Sequence, residues 1–222
     1  MKTLVTKRRA LTTSMLAALL FPAVPLWAQH AEQHAVAAQA PAANKVAHSD
    51  GVMRDLWVDH IFWVRNVVID TLAGNKMAAA VAEQQVVANA KQIAAAIEPY
   101  YGKAASEELF RLLAGHYDAV KHYVAATAAG SKDKQAAAVD SLTGNATAIA
   151  KFLSSANPNL PFDTVNGLLV AHGGHHIRQT QQLRGKQYAE EAQTWEAMKQ
   201  HMYVIADALV GAIEKQFPNR FG

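Results

Sequence analysis

The chain has 222 residues, 51% of them hydrophobic and 18% charged, with ten histidines and no cysteine. That length suits one domain or two small ones. The lack of cysteine excludes disulfides, thiolate metal sites, thiol redox chemistry and covalent haem attachment of the c type. The formal charge is +3, but Lys2, Lys7, Arg8 and Arg9 stand in the first 28 residues without an acidic partner, so residues 29–222 carry −1. The electrostatic basis for nucleic-acid binding is thereby removed, and no nucleic-acid partner is expected.

Residues 1–28 read as a cleaved export signal: a basic start, an apolar stretch around Met15 to Phe21, and Ala28 as the small residue at the cleavage point. Pro22 and Pro25 interrupt the apolar run too early for a membrane span, so no stable membrane insertion is expected after cleavage. The mature protein is then expected to be exported and periplasmic. Residues 29–50, rich in Ala, Gln and His and without apolar periodicity, read as a flexible linker. His30, His34 and His48 lie in it as solvated spacer residues or loose metal captors.

Residues 51–222 read as a helical bundle domain. Alanine is abundant, apolar residues recur at three- and four-residue spacing, and no β-branched alternating run appears. Six helices are expected, at about 51–73, 76–98, 103–129, 132–156, 162–184 and 187–216. Gly74-Asn75, Pro99 to Gly102, Gly130-Ser131, Asn157 to Pro161 and Gly185 separate them as glycine stops and proline breakers. Ser131 and Asp163 are expected N-caps.

The chemistry-bearing residues recur at an interval of 56. His60, His116 and His172 form one series; Asn89, Asn145 and His201 form a second; Leu56, Leu112 and Leu168 keep the same register among apolar positions. The expected fold is therefore all-α, a six-helix bundle of three αα-hairpins related by a 56-residue internal repeat. In each hairpin the two polar series are equidistant from the turn, at a height of roughly 22 Å for a rise of 1.5 Å per residue. This pairs His60 with Asn89, His116 with Asn145 and His172 with His201.

Two readings of that layer compete. In the first, His60, His116 and His172 converge on a divalent transition metal, joined by His201 and by His176, which lies four residues after His172 on the same helix face. Asn89 and Asn145 then orient the imidazoles through their second ring nitrogens. An all-imidazole set suits Zn, Cu, Ni or Fe. In the second reading no metal is involved, and each histidine hydrogen-bonds its own hairpin partner to fix helix register in a structural or interaction protein. A metal-dependent hydrolase or transferase would need an open coordination position and an acid–base group, and no candidate stands out. The arrangement separates the readings: convergence of at least three histidines within about 4–5 Å favours metal, separate pairs favour register. Glu190 and Glu191 read as solvated charges at a helix start.

LWVDHIFWVR (56–65), AIEPYYG (96–102), LLAGH (112–116), NATAIAKFLSSANPNLP (145–161) and VIADALVGAIEKQFPNRF (204–221) are together similar to a family of small bacterial all-helical proteins. Members of that family carry labels such as glycosyltransferase or acetylglutamate kinase without support in their sequences. The resemblance covers nearly all of 52–221 and implies a compact helical bundle, with His60, His116, His172 and His201 matching the family's histidines. The chain departs from the family at Gly173-Gly174-His175-His176. A looser similarity is to DinB-like bundles, which hold a metal through three histidines.

Overall fold

In the computed structural model the backbone is described for residues 26–220 and the side chains for 48–220. The chain divides into two units, Met1–Ala38 and Gln39–Gly222. The described part of the first is helical; the second holds the bundle. Among the described residues there are six α-helices and no strand: α1 (Leu26–Ala73), α2 (Lys76–Tyr101), α3 (Lys103–Ala128), α4 (Lys132–Ala156), α5 (Phe162–Arg184) and α6 (Tyr188–Gln216), with a short 3₁₀ turn at Pro218–Arg220. No helix among the described residues is long and apolar enough to cross a membrane. The export segment expected at 1–28 lies almost wholly outside the described residues. Residues 29–50 fall within α1, which starts well before the position where apolar periodicity sets in; alanine, glutamine and glutamate favour helix without it.

The helix ends follow the turn chemistry with four differences. Gly74 (φ 76°) and Gly130 (φ 70°) adopt the left-handed conformation that stops α1 and α3. At the third hairpin Gly185 instead has φ −81°, and Lys186 takes the left-handed position at 57°. The space at 185 is tight, since a Cβ there would stand 3.3 Å from the Gln181 carbonyl oxygen and the Gln187 side chain. Pro99 lies inside α2, close enough to its end that the missing N–H removes little of the ladder. Ser131 is at the N-cap of α4 but makes no side-chain bond there, and Pro161 rather than Asp163 holds the N-cap of α5.

The spacing of buried residues shows how the helices pack. In α2 they are Ala82, Val86, Asn89, Ala90, Ile93, Ala94 and Ile97, a single stripe at three- and four-residue intervals with one polar member. Across the bundle the core falls into two apolar clusters. One contains Met53, Trp57 and Ile61 of α1 with Leu109, Leu112 and Leu113 of α3 and Val165 and Leu169 of α5. The other contains Val64, Val67 and Val68 of α1 with Tyr117, Val120 and Val124 of α3. On α1 and α3 the clusters meet at His60 and His116, so a polar layer divides the core at mid-bundle.

Candidate metal centre

The first helix of each hairpin supplies this layer: His60 from α1, His116 from α3, and both His172 and His176 from α5. Each offers a ring nitrogen, and the four nitrogens lie within 4.8 Å of one another. Ring centroids are 4.5 Å apart for His172 and His176, 5.3 Å for His116 and His172, and 6.3 Å for His60 and His116. The side chains are 5%, 3%, 1% and 1% exposed in chain order. Trp57 stands edge-on to His60 and His172, at 6.0 and 6.5 Å.

All four imidazoles are neutral. Burial is the first cause, holding the pKa of His60 down to about 3 with help from His116, and that of His116 to about 4, where the Asn145 amide works in the opposite sense. His172 and His176 are lowered well below the ordinary value by burial first and by the neighbouring histidines second. Neutral imidazoles keep the lone pairs that metal coordination needs.

Those lone pairs and ring N–H groups are largely unused. His172 Nε2 and His176 Nε2 are 3.1 Å apart and can share one hydrogen. His60 Nε2, both ring nitrogens of His116, and the Nδ1 atoms of His172 and His176 have no hydrogen-bond partner among the described residues. Buried polar atoms are ordinarily satisfied, and each one left without a partner costs about 1–3 kcal/mol. A tetrahedral ion bonded to nitrogen at 2.0–2.1 Å sets nitrogen–nitrogen edges of roughly 3.3 Å. The His172–His176 separation of 3.1 Å is close to such an edge, and the other separations are at most 4.8 Å. The donor set fits a transition metal in number, charge state and size.

The second polar series does something different from what the sequence spacing implies. Asn89 donates from Nδ2 to the Leu56 carbonyl at 2.9 Å, Asn145 donates from Nδ2 to the Leu112 carbonyl at 3.0 Å, and His201 Nε2 meets the Leu168 carbonyl at 2.8 Å. Each bond spans 33 residues and ends on the carbonyl four residues before a layer histidine, an oxygen that already accepts within its own helix and has a second lone pair to give. His201 is thus not one of the converging group. Its Nε2 carries the proton, it faces a backbone oxygen as the two asparagines do, and its ring is beside His175 at 5.5 Å. The asparagine Oδ1 atoms of Asn89 and Asn145 have no hydrogen-bond partner among the described residues, so each amide, fixed by its Nδ2 bond, presents an unused acceptor. Gly115 lets Asn145 come close, since a Cβ there would be 3.1 Å from Nδ2.

A further group adjoins His176. Gln179, fully buried, donates from Nε2 to Glu191 at 2.8 Å, and Arg65 holds the same carboxylate through Nε and an Nη at 2.6 and 2.7 Å. Glu191 is 2% exposed, which corrects the expectation of a solvated helix-start charge. Its partner lies 126 residues away in sequence, and no local pattern signals it. The Arg65 guanidinium holds the Glu191 carboxyl below its ordinary pKa against the opposing effect of burial. His122 pairs with Asp118 on the exposed surface, away from the layer. Met198 and Met202 are fully buried core residues.

No protein-family model, curated protein or solved structure matches the chain.

Proposed function

We propose that this protein binds one divalent transition-metal ion through His60, His116, His172 and His176, and that its role is to hold that ion, for storage, for handling or as a structural centre. The observation that carries the reading is the convergence of four buried imidazoles within 4.8 Å. Four protein ligands resemble closed structural sites, whereas catalytic sites keep a position for water or substrate. That argues for holding an ion and against the hydrolase or transferase alternative. Asn89 and Asn145 would orient His60 and His116, each Oδ1 accepting from the ring N–H that faces away from the ion. The all-nitrogen donor set admits Zn, Cu, Ni or Fe. The basic, then apolar, N-terminal residues support an exported location for that task.

The test is elemental analysis of untagged full-length protein, followed by titration with Zn(II) and Co(II) of the metal-free chain and of His116→Ala. One ion per chain in the wild type and loss of tight binding in the variant are expected. Unchanged stoichiometry and affinity in the variant would exclude His116 from any site and, with it, the convergent centre.

A further inference from the structure

The four histidines are at most 5% exposed, so an ion reaches them only when part of the bundle opens locally. The third hairpin differs from the other two in ways that bear on this. His175 and His201, on α5 and α6, are both partly exposed, with ring centroids 5.5 Å apart at an angle of 48°. His201 spends its Nε2 proton on the Leu168 carbonyl at 2.8 Å, which leaves the Nδ1 lone pair as the free ligand atom of that ring. His175, half-buried with its ring turned towards that of His201, supplies the second imidazole of the pair. It immediately precedes His176, one of the four convergent residues.

The second observation is Gly173-Gly174, in the helical segment that carries both α5 ligands. Gly173 is tightly packed, and a Cβ there would come 3.0 Å from Leu142 Cδ2. Gly174 is exposed and helical, with nothing within 4 Å of the place a Cβ would take. Packing does not require glycine at 174, and glycine in mid-helix weakens the helix relative to alanine. The weak point falls between His172 and His176, beside the exposed imidazole pair.

We infer that His175 and His201 form a second, half-exposed two-imidazole site for divalent transition-metal ions, from which an ion passes to the buried group when α5 opens at Gly174. Two nitrogen ligands with water filling the remaining positions suit the first capture of a hydrated ion. Capture also makes the later transfer intramolecular, at a raised effective concentration. The inference rests on the buried group being a metal site.

The experiment is stopped-flow uptake of Co(II) by untagged, metal-free full-length protein, with equilibrium affinity measured in parallel. Three variants are compared: His175→Ala, His201→Asn and Gly174→Ala. His201→Asn installs the residue found at 89 and 145, so the bond to the Leu168 carbonyl is retained while the imidazole is lost. Uptake slowed roughly tenfold in the two histidine variants, with affinity for the buried ion unchanged, is the expected result. Gly174→Ala should slow uptake and release together. Uptake within about twofold of wild type in all three variants overturns the inference and leaves the buried site standing. A wild-type protein that takes up no Co(II) and no Zn(II) removes the buried site itself and this inference with it.

Discussion

Four buried neutral imidazoles make the metal-free protein sensitive to acid, and the size of the effect follows from the unfolded chain. In the folded state His60 and His116 bind a proton only below about pH 3 and 4, and His172 and His176 are lowered strongly by the same burial. In the unfolded chain each titrates near 6.5. Between those values the unfolded state binds more protons, so stability is fully present above pH 6.5 and is lost as pH falls towards the folded-state values. The loss per imidazole is RT ln(1 + 10^(6.5 − pH)), about 1 kcal/mol at pH 6 and about 2 kcal/mol at pH 5. It does not depend on the folded pKa values as long as these lie well below the working pH. Four such groups remove about 8 kcal/mol at pH 5, comparable with the whole stability of a typical domain, about 5–15 kcal/mol.

Urea denaturation followed by far-ultraviolet circular dichroism, in chelator at pH 8, 6 and 5, measures this directly. Glu191, whose pKa is lowered mainly by Arg65, contributes stability that is lost only below the ordinary carboxylate range, so the interval from 6.5 to 5 belongs to histidine. His176→Val supplies the internal control. It removes one of the four groups, so the loss between pH 8 and pH 5 should shrink by about 2 kcal/mol. Unfolding free energy that stays level from pH 8 to pH 5 in the wild type, or a variant with the same pH slope, would refute the buried neutral layer. Saturating Zn(II) should stabilise the wild type by RT ln(1 + [Zn]/Kd) and move the acid transition to lower pH, because the ion competes with protons for the same lone pairs.

Asn145→Leu removes the donor to the Leu112 carbonyl and the acceptor beside His116. It should destabilise the metal-free protein by about 1–2 kcal/mol in urea denaturation and weaken metal affinity about tenfold in a chelator competition. Unchanged affinity would confine Asn145 to a register role. Arg65→Met leaves Glu191 buried with Gln179 as its remaining partner. Because Arg65 is itself a third exposed, the cost at neutral pH should be about 1–3 kcal/mol, below the range for a wholly buried pair. The gap from wild type should narrow as pH falls through the carboxylate range and Glu191 is neutralised.

Most helix spans were legible because their ends are written in local chemistry: Gly74, Gly130 and the Asn157 to Pro161 run act within a few residues of where they stand. The converging histidines were legible because a spacing of 56 carries a position to the same height in each hairpin, and because His172 and His176 share a helix face. That His201 stands outside the convergent group follows from a limit of that logic. Periodicity gives the height of a residue and its helix face to within a quarter turn, which does not distinguish an imidazole aimed at its histidine neighbour from one aimed at a carbonyl one turn away. The Arg65–Glu191 pair was invisible because it depends on α1 and α6 packing side by side, which no local pattern encodes.

The two polar series divide the work that the sequence had offered to either one. Asn89, Asn145 and His201 fix register by reaching from the second helix of each hairpin to a carbonyl of the first. That leaves the histidines of the first helices without a structural task, and His176 sharpens the point. The residues 56 and 112 positions before it are Val120 and Val64, both buried in the apolar cluster that adjoins the layer. Where two hairpins have a valine, the third buries an imidazole whose Nδ1 has no hydrogen-bond partner among the described residues. Packing gains nothing from that exchange, since a valine satisfies the same stripe without a polar atom to desolvate. Three histidines stand at an interval of 56; the fourth has valine at both corresponding positions, costs stability in the metal-free state and raises the donor count to four. On the proposed reading, a bound ion turns that cost into a gain.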